Sequence, residues 1–516
     1  MELNDFWQSA DLVKHLGEMR LSSGQTFSHS LRMDDVSLWD VVTPYLALYC
    51  LPKYISSQKQ NLQLPWWRKA WDLYRSGAGR PRGEMLNRNP NDGIDCASWP
   101  ESTSTMLFLN LVPQFYRETF QSVAEYLVMN HKVSLSILNI DSFSPFPRLN
   151  PAIQFHTMSG HTNLSVRKRI AQLSKELHHR TRVFRDDWSR IICSGRDLGW
   201  TTFRWDFNWL LYFEFPRLIR HIAIAEHLLD CHRPSLLISP DDADRGRVYS
   251  MLARARGIPS LVIQQGLGLD NAVEWRFFTA DAVAVYGSTS RNALMQHGIP
   301  SEKIFITGCP RFDVLTQHSV QAIKENRDAM GIPEPNKLVV LASQPYVYGA
   351  FANPKIRREM LRAIGRAVKQ VKGIYVVVKP HPGESEEEVR NLIGDSLCVS
   401  FVNRTLDIRN LIQACDVFMT FFSTSGLQAL VAAKPMISVN FPGSFENNLY
   451  ADAEAIWIAR SSDQLVEYLR LLTGTGREQA ISTRESARQN FVRNWTYLPD
   501  GQATKRIADL VLHLLN

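Results

Sequence analysis

A chain of 516 residues with 45% apolar and 21% charged residues has the make-up of an ordinary folded protein with ample core, and its length suits three domains or two larger lobes. The formal excess of +7 is modest for this length: it admits an anionic partner such as a phosphorylated donor, an acidic glycan or a lipid headgroup, and does not call for nucleic acid. Seven cysteines without a C-x-x-C pair exclude a disulfide framework or a cysteine zinc site, and the lack of an eighteen-residue apolar run or a leader-like start leads us to expect a cytoplasmic protein.

Residues 1–100 read as a helical and irregular extension. The stretch 37–54 is apolar and aromatic but broken by Pro44 and Pro52, so packed helix pieces are expected there and not a membrane span. Residues 63–82 set Trp66, Trp67 and Trp71 beside Arg68, Lys69 and Arg75. Such a segment either lies in a membrane interface or packs as a Trp-rich helix on the lobe, and both readings stand. Residues 77–100, rich in Gly, Pro, Asn and Asp, read as loop.

A first lobe is expected over 101–315. Strand-like runs at 105–111 and 133–140 flank a helix at 115–129, and residues 164–230 are mostly long helix. Further strands follow at 236–239, 260–264, 282–286 and 304–307. Strands alternating with helices imply parallel sheets with right-handed crossovers. Ligands of such sheets sit beyond the carboxyl ends of the strands, which draws attention to what stands there. After the strand at 236–239 come Asp241 and Asp242, where a carboxylate can act as general base on an acceptor hydroxyl or simply cap the next helix. After the strand at 260–264 come Gln265, Gly266, Gly268 and Asp270. The glycines allow close backbone approach to an acceptor, and Gln265 offers hydrogen bonds but no base.

A second lobe is expected over 316–495, with a helix at 496–516 crossing back to the first. Its first strand, 338–342, leads to Gln344 and Tyr346. A β-branched strand at 374–378 releases Lys379, Pro380, His381 and Pro382 in a stiff turn, and a strand at 417–420 runs into Ser423, Thr424, Ser425 and Gly426 at the start of an apolar helix. A Ser/Thr/Gly turn opening a helix supplies hydroxyls, backbone N–H groups and the positive end of the dipole, which together suit an anion. Glu384 and Glu446 are placed to reach ribose or sugar hydroxyls. Neither a complete G-x-G-x-x-G nor a Walker A pattern occurs, so no dinucleotide or ATP site is expected.

The Lys-x-His-Pro turn, the Ser/Thr turn and the Lys434-Pro435 pair before the next strand resemble the nucleotide-binding half of GT-B glycosyltransferases. They are similar to those of bacterial capsule Kdo transferases, GT-B sialyltransferases and CDP-glycerol polyol-phosphate transferases. Residues 307–315, TGCPRFDVL, resemble the Gly-x-Pro-Arg-x-Asp linker of that group, and the likeness spans about 236–441. It implies an α/β chain of two Rossmann-like parallel-sheet lobes preceded by the N-terminal extension. It also implies donor binding by Lys379, His381, Ser423, Thr424, Ser425, Gly426, Gln344 and Glu446. His381 would act on the leaving phosphate, and Asp241 or Asp242 would act as base. Asp241 and Asp242 resemble the paired acids of the sialyltransferases, except that Ala243 separates them from the glycine's place, and Gln265 stands where many relatives have histidine. The Asp-x-Asp spelled by Asp242, Ala243 and Asp244 belongs to another, metal-dependent fold, so neither metal nor cofactor is expected. The function implied is transfer of a sugar from a CMP- or UDP-linked donor to a glycan or lipid-linked acceptor in bacterial surface-polysaccharide assembly, with peripheral contact at the cytoplasmic membrane face. The alternatives are a CDP-alcohol-dependent polyol-phosphate transferase, a sugar-nucleotide epimerase and a non-catalytic glycan-binding subunit.

Overall fold

The computed structural model describes residues 3–52, 55, 105–110, 116–131, 133–140, 150, 152–158, 161–194, 203–266, 272–316, 320–329, 332, 335–345, 354–394, 396–402, 406–442, 444, 450–452 and 454–515. The Trp-rich stretch at 63–82 and the loop expected at 77–100 lie outside them. Two compact units are present. One comprises Met1–Val285, Ser290–Ile306 and Lys505–Asn516; the other comprises Tyr286–Thr289 and Thr307–Thr504.

The first unit is built on a wholly parallel seven-stranded sheet. Its strands are β1 (Thr105–Asn110), β2 (Ser134–Asn139), β3 (Ile153–Thr157), β4 (Leu236–Ser239), β5 (Ser260–Ile263), β6 (Ala282–Val285) and β7 (Ile304–Ile306), in the order β3-β2-β1-β4-β5-β6-β7. Helices α1 (Leu3–Glu18) and α2 (Leu38–Tyr45) contribute Val13, Leu16, Leu38 and Trp39 to the same core as Leu107 of β1 and Leu237 of β4. The helix piece α2 carries Pro44 inside it, as expected of a segment that packs and does not span. Among the described residues no helix is long and apolar enough to cross a membrane. Helix α3 (Gln121–His131) follows a π turn at Tyr116–Phe120, so the helix expected at 115–129 begins irregularly. The long helical region resolves into α4 (Leu164–Ser194) and α5 (Phe215–His232), and β4 leads into α6 (Asp244–Ala255).

The second unit holds a parallel six-stranded sheet of β8 (Lys337–Ala342), β9 (Ile374–Lys379), β10 (Val399–Phe401), β11 (Val417–Thr420), β12 (Met436–Val439) and β13 (Trp457–Ala459), in the order β10-β9-β8-β11-β12-β13. This is the 3-2-1-4-5-6 order of a doubly wound sheet, with its switch point between β8 and β11. Val376, Val377 and Val378 are fully buried, each worth about 1.5–3 kcal/mol on leaving water, which is why a β-branched run forms the strand here. Helix α7 (Pro354–Gln370) packs on α8 (Glu386–Ile393) so closely that a Cβ on Gly365 would strike the carbonyl of Ile393. Helices α9 (Thr424–Val431) and α10 (Arg477–Thr496) follow. Helix α11 (Ala503–Leu515) returns to the first unit, where Ile507, Ala508 and Val511 join Met106, Phe108 and Ile238 in one apolar cluster. The expected pair of Rossmann-like lobes is therefore present. Three short strands, β3, β10 and β13, were not evident from the sequence pattern.

A cluster of histidines sits behind β3. The rings of His156, His161 and His232 lie 5.2, 5.7 and 5.9 Å apart. Burial, reinforced by the neighbouring imidazoles, pushes His161 down to about 3 and His232 down to about 4. Among the described residues no group of three or more His, Cys, Asp or Glu is placed to hold a metal ion; His156 Nε2 lies 3.2 Å from Ser136 Oγ, and burial keeps the three rings neutral. An unfolded chain takes up protons on them near pH 6.5, whereas the folded chain resists until about pH 4. The first unit should hold full stability above about pH 6.5 and lose it progressively as pH falls toward 4. Urea midpoints across that range should fall in the wild type and fall less steeply in His161→Gln.

Candidate functional site

The second sheet ends level at the switch point. Ala342 of β8 pairs with Lys379 of β9 on one side and with Thr420 of β11 on the other, so three chain segments leave the carboxyl edge side by side across about 10 Å. A hydrogen bond from Thr420 Oγ1 to the Ala342 carbonyl, 3.0 Å, ties the last residues of β11 and β8.

The segment after β9 closes a tight turn. The Glu384 N–H donates to the His381 carbonyl at 2.9 Å, and the His381 N–H donates to Glu384 Oε2 at 2.8 Å. The imidazole is oriented as well, since the Gly383 N–H donates to His381 Nδ1 at 3.0 Å. A ring whose Nδ1 accepts carries its proton on Nε2. The ring is exposed. Partial desolvation lowers its pKa below the ordinary histidine value, Glu384 opposing and Lys379 adding to the effect. At neutral pH His381 is thus an uncharged hydrogen-bond donor beside the Lys379 cation.

Glu384 does not reach ribose, as its sequence position had suggested. Its carboxylate is 1% exposed and fully engaged: Oε1 accepts from Arg357 Nη2 at 2.6 Å, and Oε2 accepts from Ser343 Oγ at 2.6 Å as well as from the His381 N–H. Arg357, on α7, also donates from Nε to the Gln344 carbonyl at 2.8 Å and from Nη1 to Glu388 Oε1 at 3.0 Å. Gln344 in turn accepts the Phe422 N–H on its side-chain Oε1 at 2.8 Å. One buried ion pair therefore braces the turn after β9 and the loop after β8, and Gln344 carries the brace on to the turn after β11.

That last turn opens α9. Ser423 caps it, its Oγ accepting from the Ser425 N–H at 3.3 Å and from Ser425 Oγ at 2.8 Å, and its carbonyl takes the Gly426 N–H at 2.9 Å. Tyr450 completes the cap: its hydroxyl donates to the Ser423 carbonyl and accepts the Leu427 N–H at 2.8 Å. Only glycine fits at Gly426, because a Cβ there would lie 2.6 Å from that hydroxyl and 2.9 Å from Met436 Sδ. Three N–H groups of the first turn are therefore satisfied internally. The half-exposed Thr424, at the first helical position, is the residue from which N–H and hydroxyl can meet an incoming anion.

In the first unit the acidic pair divides. Asp242 is buried and its carboxylate is held by the Thr279 N–H, by Thr279 Oγ1 at 2.9 Å and by the Ala280 N–H at 3.1 Å. Asp241 is half-buried, with Oδ1 turned toward the Ala243 N–H at 3.4 Å. The helix-capping role is thus not performed by Asp242, and Ala243 stands at the cap of α6 without a side-chain bond. Just past the adjacent strand β5, Gln264 is buried and bonds the Gly266 carbonyl at 2.6 Å and Ser290 Oγ at 3.0 Å, while Gln265 remains half-exposed. Among the described residues nothing lies within 4 Å of a hypothetical Cβ at Gly266. Asp270, Gly268, Tyr346 and Glu446 lie outside the described residues. Sequence reasoning missed Arg357, one of several basic residues on an amphipathic helix, and Tyr450, an isolated aromatic between elements.

A model of the family described as CDP-glycerol:poly(glycerophosphate) glycerophosphotransferase matches residues 277–513, less than half of the chain. The match includes Lys379, His381 and the Ser423 turn but not Asp241 or Gln265. No curated protein matches the chain. Among solved structures, the MnaA–UDP co-structure from S. aureus is similar at 11% identity and a TM-score of 0.50 over 80% of this chain and 97% of that one. The UDP-GlcNAc 2-epimerase from Neisseria meningitidis bound to UDP-GlcNAc gives 13%, a TM-score of 0.48, and 80% and 100% of the two chains. A variant of the wall teichoic acid polymerase TagF gives 12%, 0.47, and 80% and 89%. The fold is GT-B. Together with the family match over 277–513, this bears out the expectation of a GT-B-type transferase enzyme.

Replacing Tyr450 by Phe keeps the ring but strands the buried Leu427 N–H without its acceptor. The variant should lose about 1–3 kcal/mol of stability, read from urea unfolding at pH 7.5.

Proposed function

We propose that this chain transfers a group from a nucleotide-activated donor, held by its second unit, to a glycan or lipid-linked acceptor in bacterial surface-polysaccharide assembly. The observation that carries this reading is the level edge of the second sheet. There a cation at Lys379, a neutral N–H donor at His381 and the helix start at Thr424 stand on neighbouring segments held by one buried brace. Preorganised donors of this kind stabilise charge growing on a leaving phosphate without reorganising during the reaction. Ser423, Ser425 and Gly426 shape that helix start, and Gln344 spaces it from the His381 turn. Glu446 is assigned to donor hydroxyls and Gln265, Gly266 and Asp270 to the acceptor. The acceptor hydroxyl would give its proton to Asp241, which is half-exposed where Asp242 is buried. Work on a lipid-linked acceptor would bring the enzyme to the cytoplasmic face of the membrane.

Two donor classes fit the same edge. A sugar linked to CMP or UDP would leave its nucleotide behind. A CDP-alcohol would pass on a polyol phosphate and leave CMP, and the family match over 277–513 favours that second donor.

Thermal unfolding with CMP, CDP, UDP, GDP, their sugars and CDP-glycerol tests the reading. A ligand held at about 100 times its Kd adds about 2.7 kcal/mol to the folded state, a shift of several degrees that should vanish in His381→Ala and shrink in Thr424→Ala. Stabilisation by CDP-glycerol above all sugars selects the polyol-phosphate reaction. No shift with any nucleotide would defeat the donor assignment. Once a donor is known, Asp241→Asn should lower turnover by about 10²–10⁴-fold while leaving the nucleotide shift intact.

A further inference from the structure

Two helices of this protein are strongly basic, α4 and α7, and α4 is the one in the first unit. Helix α4 carries eight Lys and Arg against three carboxylates, an excess of five, where the whole chain has +7. Three of the eight are paired: Arg169 with Asp34 and Glu226, Arg180 with Glu176, and Arg190 with Asp187. Arg167, Lys168, Lys175, Arg182 and Arg185 are exposed and have no ion pair among the described residues. The opposite face of the helix is spoken for, because Val166, Leu173, Leu177, Trp188 and Ile191 are buried in the core of the first unit.

Spacing turns these cations into a stripe. Lys168, Lys175 and Arg182 are seven residues apart, two helical turns each, so they repeat about every 10.5 Å on one line with only about 20° of drift per step. Leu164 lies on the same line, four residues before Lys168, and is 69% exposed; Val183, beside Arg182, is 56% exposed. A merely solvated face would mix signs, since like charges along a helix repel. Here Asp186 alone interrupts the outward row.

We propose that the outer face of α4 docks on an anionic lipid bilayer. A straight row of cations more than 20 Å long matches a flat sheet of phosphate headgroups, and exposed Leu164 and Val183 give it apolar side chains to set among the acyl boundary. A soluble polyanion would use the charges but have no use for those two. The surface belongs to the first unit and the donor edge to the second.

Co-sedimentation of the full chain with vesicles tests this. Wild type should pellet with vesicles of phosphatidylcholine containing 30% phosphatidylglycerol, not with phosphatidylcholine alone, and 0.5 M salt should release it. The triple variant Lys168→Glu, Lys175→Glu, Arg182→Glu should bind at least about tenfold more weakly while keeping its thermal midpoint and any nucleotide shift. If charge reversal impairs folding, the triple Gln variant replaces it, with a smaller but clear loss expected. Leu164→Ser with Val183→Ser should weaken binding at constant charge. The proposal is overturned by absence of binding to anionic vesicles, by undiminished binding of the triple variants, or by inorganic polyphosphate binding in a way that vesicles cannot compete.

Discussion

The second unit depends on the ion pair between Arg357 and Glu384. Its two side chains are 4% and 1% exposed, so each charge would be costly to bury if the other were absent. The cost is offset because the available donors and acceptors are used: Glu384 takes three hydrogen bonds, and Arg357 reaches Glu384, the Gln344 carbonyl and Glu388. What this arrangement gains is geometry. The ends of β8, β9 and β11 are level by register, but register says nothing about where the following loops go. The ion pair and Gln344 supply that, and so set the distance between an imidazole and a helix start without either touching the other.

The same division of labour explains what could be read in advance. Strands of the second unit announced themselves as short β-branched runs, and the residues at their carboxyl ends were identifiable because doubly wound sheets place ligands there. His381, Lys379 and the Ser423 turn follow from that rule. Chemically informative residues with ordinary neighbours did not stand out. Arg357 sits in PKIRREMLRAIGRAVKQ, where three other arginines and two lysines look the same, and only folding decides which one faces inward. Tyr450 is twenty-three residues from the N–H it accepts. Glu384 looked like a ligand because it follows the His-Pro turn, yet that position is also where a carboxylate can fold back and fasten the turn.

Position alone likewise could not separate Asp241 from Asp242. Adjacent residues after a strand point in different directions, and here one meets the Thr279 segment while its neighbour keeps contact with solvent. The short edge strands β3, β10 and β13 escaped notice for a related reason: they are three to five residues long, and their pattern is set by the strand beside them.

Helix α11 has a consequence for how the chain comes to be folded. It lies at residues 503–515, yet its apolar side chains belong with β1 and β4, hundreds of residues earlier. During synthesis the first unit must wait with part of its sheet uncovered until the whole of the second unit has been made. An autonomous second unit folding in the interval would then be the natural order of events, and the apolar face of the first sheet would be exposed to chaperones, or to other nascent chains, for the time it takes to translate about two hundred residues.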